Sequence, residues 1–230
     1  MGDQCYGVPV YEPDLSGRET EYVLDCMSSG WISGKGKYVN ESEEAFSAFC
    51  GVSYGIATFN GTVALDLALA TLNIGPGDEV ITSDLTFAAT ANAIRHLGAR
   101  PVFVDSEPET WNIDPNRIEE VITPATRAIV VVHLYGHPVD MDPILHIAAR
   151  HGLFVIEDAA EAHGALYKRR RVGSLGHLAC FSFYGNKLIT TGEGGMVVTD
   201  NAGLAERARF LRGQALAGAP KVGADGSLVL

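Results

Sequence analysis

No run of about 18 apolar residues occurs in this 230-residue chain, so no segment reads as a membrane-crossing helix. The first residues, MGDQCYGVPVYEPDLSGRE, hold neither a basic start nor an apolar stretch, so no secretory signal is read there and a cytoplasmic location is expected. Basic residues are outnumbered. Against 28 Asp and Glu stand 17 Lys and Arg, and the net charge of −11 repels nucleic-acid phosphates on average. The one basic run, Lys168-Arg169-Arg170-Arg171, lies between Ala165-Leu166-Tyr167 and Val172-Gly173 and reads as a solvated turn. Cysteine is scarce. The four (Cys5, Cys26, Cys50 and Cys180) show no C-x-x-C spacing, and three fall in apolar or strand-like stretches, where reduced, buried thiols are expected.

Several catalytic signatures are also missing. There is no Gly-x-Ser-x-Gly elbow of a serine hydrolase. The segment Gly30-Trp31-Ile32-Ser33-Gly34-Lys35-Gly36 has some glycines of a P-loop, but no apolar strand precedes it. Gly36 also stands where a magnesium-binding Ser or Thr is needed. The first strand-to-helix turn, Thr58-Phe59-Asn60-Gly61-Thr62, carries one glycine where a dinucleotide-binding turn carries three. His133 and His137 are four apart, but Gly136 and Pro138 break the helix that would align them on a metal. No metal is expected.

What the chain does have is alternation of short apolar runs and helical patterns. Ser16 and Glu19 carry capping-box spacing ahead of a helix with Tyr22, Val23, Cys26 and Met27 on one face, stopped by Gly30. A second helix is expected from about Glu41 to Cys50. Strands are expected at Tyr54–Thr58, Glu79–Thr82, Pro101–Asp105, Ala128–Val132, Leu153–Ile156, Leu178–Phe183 and Met196–Thr199. Helices are expected at Thr62–Leu72, Phe87–Leu97, Ile144–Arg150 and Leu204–Leu211. Asp114-Pro115 and Asp142-Pro143 both read as an N-cap followed by proline in the first turn. The expected fold is α/β, a mainly parallel central sheet with helices on both faces. Residues 1–214 form one large domain with an N-terminal helical segment over about 14–50, and 215–230 read as an irregular tail.

In such sheets ligands bind at the carboxyl ends of the strands. Asp158 follows one apolar strand directly, with Glu161 and His163 close behind. Lys187 follows another strand across Tyr184-Gly185-Asn186. Gly61-Thr62 opens a helix, whose free N–H groups and positive dipole end suit a dianionic phosphate. A lysine in apolar surroundings loses its proton more easily and can then condense with a carbonyl. An aspartate can hold a ring nitrogen protonated, and Phe87 offers an aromatic face for stacking on a ring. Together these point to a phosphate-bearing cofactor with a reactive carbonyl. Taken singly, a strand-end lysine is also a surface charge and a strand-end aspartate also a helix cap.

Five segments appear in order: Asn60-Gly61-Thr62 with ALDLAL, Gly75-Pro76-Gly77-Asp78-Glu79-Val80, Val131-Val132-His133-Leu134-Tyr135-Gly136, Glu157 through Gly164, and Phe181 through Gly195. From Val8 to Gln214 the chain resembles the DegT-type nucleotide-sugar aminotransferases, a branch of the fold-type-I pyridoxal-phosphate enzymes. The Gly185-Asn186-Lys187 form of the lysine motif, with Met141-Asp142-Pro143-Ile144-Leu145 and Leu211-Arg212-Gly213-Gln214, resembles the perosamine-synthase branch. That branch aminates C4 of a GDP-linked 4-keto-6-deoxy sugar with glutamate as donor, in amino-sugar and polysaccharide biosynthesis.

The resemblance implies that pyridoxal 5′-phosphate is the cofactor and Lys187 its Schiff-base lysine and proton shuttle. It also implies that Asp158 pairs with the pyridine nitrogen, Glu161 with the phenolic oxygen, and Phe87 stacks on the ring. Gly61, Thr62 and Ser182 would hold the phosphate, and His163 takes no catalytic step. Sugar dehydratases of the family carry histidine in place of the lysine. Family members form homodimers and continue into a smaller C-terminal domain, which the residues from Ala215 onward do not resemble, so a shortened and impaired enzyme is expected. The rival readings are a regulatory relative without catalysis and a same-fold enzyme acting on another keto sugar.

Overall fold

The computed structural model describes residues 11–214, 221–222 and 228–229. Cys5 and most of the expected tail lie outside them. Two helices, α1 (Glu19–Ser29) and α2 (Lys37–Cys50), lead into β1 (Tyr54–Thr58). Alternation follows: α3 (Gly61–Thr71), β2 (Glu79–Ser83), α4 (Ala88–His96), β3 (Arg100–Val104), α5 (Pro115–Ile118), β4 (Thr126–Val132), α6 (Met141–His151) and β5 (Phe154–Asp158). The short strands β6 (Leu166–Tyr167) and β7 (Arg170–Arg171) precede β8 (Leu178–Ser182), β9 (Gly195–Thr199) and α7 (Ala202–Arg212). In the tail, β10 (Lys221–Val222) pairs antiparallel with β11 (Leu228–Val229).

The seven-stranded sheet has the order β1-β9-β8-β5-β4-β2-β3. From β8 to β3 all pairings are parallel, and β9 joins both β8 and β1 antiparallel. The mainly parallel sheet read from the sequence is present. Its central strands are buried on both faces because helices cover each side, so Ile129 and Val131 of β4 enter one apolar core while Ala128 and Val130 enter the other. Among the described residues, no helix is long and apolar enough to cross a membrane.

Local expectations fail at the first helix and at the Asp142 cap. The capping box at Ser16 does not form: α1 begins at Glu19 after Arg18, and no side chain caps it. Asp14 takes the Ser16 N–H instead, an Asx turn that competes with the cap. The Tyr22, Val23, Cys26 and Met27 face of α1 buries no residue against the described chain. Asp142 is not an N-cap either. Asp140 holds that position, α6 starts at Met141, and the Asp142 carboxylate pairs with Lys168. Asp114 does cap α5, accepting the Asn116 N–H at 2.9 Å, but only four residues stay helical before a 3₁₀ turn. The basic run is the expected turn: Lys168 and Arg169 adopt left-handed backbone angles between β6 and β7.

Candidate active site

The site begins where β1 turns into α3. The Asn60 side chain accepts the Val63 N–H at 3.0 Å, and its carbonyl accepts that of Ala64 at 3.0 Å. The N–H groups of Gly61 and Thr62 precede these bonds and sit at the positive end of the helix dipole. Glycine is required at 61 for space, since a Cβ there would lie 2.7 Å from the Cβ of Ser182 at the end of β8. Gly195 meets the same constraint from β9, where a Cβ would lie 2.5 Å from the Asn60 carbonyl carbon. Two glycines thus let a helix start and two strand ends converge, which brings the Ser182 hydroxyl beside the Gly61-Thr62 donors.

β5 ends in two adjacent carboxyls whose side chains alternate across the sheet. Glu157 is fully buried. It accepts N–H bonds from Gly173 at 2.9 Å, Leu175 at 2.8 Å and Gly176 at 2.7 Å, and faces His133 Nε2 at 3.1 Å. His133 Nδ1 accepts the Val139 N–H at 3.1 Å, so its proton sits on Nε2 and points to Glu157. Burial works against the charge of Glu157, but His133 and the backbone donors outweigh it and hold the carboxyl below its ordinary range. Asp158 goes the other way. It accepts a bond from Thr90 Oγ1 at 2.8 Å and one from the Ala160 N–H at 3.2 Å, and burial pushes it up despite them. A buried carboxyl with only neutral hydrogen-bond donors suits a protonated partner arriving from the cavity.

Lys187 lies past β8 on a turn closed by its own N–H to the Tyr184 carbonyl at 2.9 Å. Its Nζ is 3.1 Å from Glu161 Oε1, with the lysine side chain 17% exposed. Phe87 stands at the start of α4 and is 79% exposed, presenting a bare ring. All seven residues singled out from the sequence, Gly61, Thr62, Phe87, Asp158, Glu161, Ser182 and Lys187, line one cavity of about 370 Å³.

The same wall includes Asn60, Thr86, His133, Tyr184, Asn186 and Glu193, which sequence reasoning did not name as site residues. His133 belongs to the Glu157 pair rather than to a metal, and no metal-binding cluster exists among the described residues. His163 does not line the cavity. It is buried among Phe46, Phe181 and Phe183, and burial pushes it down to about 4, so the ring is neutral. Exposed Phe59, Tyr135 and Leu188 stand on the loops that follow β1, β4 and β8, on the cavity's side of the sheet.

One cavity thus brings together helix-start N–H groups, an exposed aromatic ring, a buried carboxyl and a primary amine. Comparison with known proteins agrees. The DegT/DnrJ/EryC1/StrS aminotransferase family matches residues 13–224. A GDP-perosamine synthase of Caulobacter vibrioides is 54% identical over 209 residues, covering 91% of this chain and 56% of the relative. One from Escherichia coli O157:H7 is 52% identical over 210 residues, covering 91% and 58%. The solved structure of DesI in the presence of its TDP-sugar product superposes with a TM-score of 0.85 at 39% identity, over 90% of this chain and 52% of that one. The chain therefore spans about half the length of the relatives it matches.

Proposed function

Because this chain belongs to the DegT/DnrJ/EryC1/StrS aminotransferase family, whose members depend on pyridoxal 5′-phosphate, we propose that it carries the cofactor half of a nucleotide-sugar aminotransferase. The acceptor is a GDP-linked 4-keto-6-deoxy sugar and the amino donor is glutamate. One observation carries the reading: the amine of Lys187, the buried Asp158 carboxyl and the Gly61-Thr62 helix start all face one cavity. The identity to two GDP-perosamine synthases supports the choice of sugar. A homodimer fits the exposed Phe59, Tyr135 and Leu188 near the cavity. Buried Cys50 and Cys180, with their thiols held protonated, fit a reducing, cytoplasmic setting.

When bound, the cofactor supplies a carbonyl carbon that takes up an amino group and a ring that draws electrons from it. The residues present fit that group. The N–H groups of Gly61 and Thr62 and the Ser182 hydroxyl hold its phosphate. Asp158 pairs with the ring nitrogen and keeps its proton in place, a charge-assisted bond of about 1.5–3 kcal/mol. Phe87 covers one face of the ring and excludes water there. Lys187 is the amine that would hold the cofactor's carbonyl carbon and whose Nζ would move a proton during the reaction. Glu161, within hydrogen-bonding reach of Lys187, keeps that amine inside the cavity, and would pair with the cofactor's ring oxygen.

The test is turnover by a chain extended to the length of the relatives. Given GDP-4-keto-6-deoxymannose and glutamate, it should release 2-oxoglutarate and an amino sugar. Exchange between amino acids and keto acids alone, with no nucleotide sugar consumed, overturns the assignment. Preference for a TDP- or UDP-linked sugar moves the substrate but keeps the reaction.

A further inference from the structure

Asp158 is held by a short chain of hydroxyls that the sequence motifs did not single out. Thr90 is buried in α4, and its Oγ1 lies 2.8 Å from Asp158 Oδ2. Thr86, one turn earlier, places its Oγ1 2.8 Å from that of Thr90. Thr86 also lies 3.3 Å from the Phe87 carbonyl, a second acceptor at the outer end of the chain.

Each hydroxyl has one proton and spare lone pairs, so the chain can run in either direction. With Asp158 ionised, Thr86 donates to Thr90 and Thr90 donates to the carboxylate. With Asp158 protonated, the carboxyl donates to Thr90, Thr90 to Thr86, and Thr86 to the Phe87 carbonyl. Both charge states are then satisfied without moving a heavy atom. Such chains polarise one another, which strengthens the bond that reaches the charge.

We infer that Thr90, braced by Thr86, is a positioning residue that fixes the Asp158 carboxylate toward the ring nitrogen of the cofactor and stabilises its charge there. The inference rests on the reading of the cavity as a pyridoxal-phosphate site. Geometry favours this role over plain helix packing: a buried threonine in a helix usually returns its hydroxyl to the carbonyl one turn back, as Thr71 does to Leu67 at 2.7 Å. Thr90 instead spends its proton on a side chain 68 positions away.

Thr90→Val keeps the shape and removes the hydroxyl, whereas Thr90→Ser keeps the hydroxyl. The measurement is equilibrium binding of two ligands to the 230-residue chain: pyridoxal phosphate, and its analogue with carbon in place of the ring nitrogen. Thr90→Val should weaken pyridoxal phosphate about ten- to hundredfold, the loss of one hydrogen bond to a charged group, and leave the analogue nearly unchanged. Thr90→Ser should bind both like the parent. Equal loss for both ligands, or no loss for either, overturns the role of Thr90, since neither depends on the ring nitrogen. If Thr90→Val does not fold, Thr86→Val, one step further from the carboxylate, should show a smaller loss confined to the nitrogen-bearing ligand. A parent chain that binds neither ligand overturns the functional reading itself.

Discussion

The sharpest structural prediction concerns Gly61, where a single methyl group should disturb two things at once. The backbone of Gly61 is helical, so alanine meets no conformational penalty there and the effect is purely one of space. A Cβ at 61 would lie 2.7 Å from the Ser182 Cβ, about 0.7 Å inside the 3.4 Å at which ordinary contact begins. Neither atom can rotate away, because each is fixed to its backbone, so α3 and the end of β8 must separate by roughly that distance. Overpacking of this kind costs about 1–3 kcal/mol, which for a chain of this size lowers Tm by about 2–12 °C. The same displacement draws the Gly61 and Thr62 N–H groups away from the Ser182 hydroxyl, with which they are proposed to hold the cofactor phosphate. The loss of one charge-assisted bond weakens binding about ten- to hundredfold.

The assay is thermal unfolding together with the affinity ratio of pyridoxal phosphate to pyridoxal, which lacks the phosphate. Gly61→Ala should lower both Tm and the ratio. Adding Ser182→Gly removes the clashing Cβ and should restore most of the Tm, but it also removes the hydroxyl, so the ratio stays low. A Gly61→Ala protein with the parental Tm and the parental phosphate preference would show that this close approach has no bearing on stability or anion binding.

Three further outcomes follow from the same geometry. Asp158→Asn should keep cofactor attachment but slow the half-reaction with glutamate about 10²–10³-fold, as expected for one preorganised electrostatic group; single-turnover absorbance checks it. Lys187→Ala should abolish covalent attachment while shifting stability by no more than about 0.5 kcal/mol, since its one side-chain bond is to half-exposed Glu161; denaturant unfolding checks it. Glu157→Gln should cost about 2–6 kcal/mol, because the amide oxygen replaces only one carboxylate oxygen. Its NH2 group faces two of the four donors, His133 and the N–H groups of Gly173, Leu175 and Gly176, each costing about 1–3 kcal/mol unsatisfied. The Glu157 carboxyl is held below its ordinary value of 4.5, so its contribution is present above that pH and is lost as pH falls through the lower, folded-state value. Acid unfolding should therefore differ less between parent and Glu157→Gln at the lowest pH than at neutrality.

Much of this architecture was legible in the sequence because local chemistry and the fold agree. The apolar run Ala128–Val132 could bury both faces only in a helix-covered sheet, and Gly30 ended its helix in left-handed backbone as its spacing predicts. The candidate residues Gly61, Thr62, Phe87, Asp158, Glu161 and Lys187 were legible because each lies at or just past a strand end, and parallel strands deliver their ends to one edge; Ser182, the last residue of β8, was legible only through the family resemblance. The failures are where two local signals compete. Ser16 and Asp142 both carry cap chemistry, yet Asp14 and Lys168 offered partners that spacing alone does not reveal. Thr90 and the Glu157–His133 pair stayed hidden for another reason. Their partners are 68 and 24 residues away, and only the order β5-β4-β2 brings them together.

The central claim is that Lys187 is the amine that binds pyridoxal phosphate in this cavity. It is tested most directly by incubating the folded chain with the cofactor, reducing with borohydride and mapping the modified peptide. The account predicts the yellow absorbance of lysine-bound cofactor before reduction and a single label on Lys187 after it. A label on any other lysine, or no label on a chain shown to be folded, contradicts it.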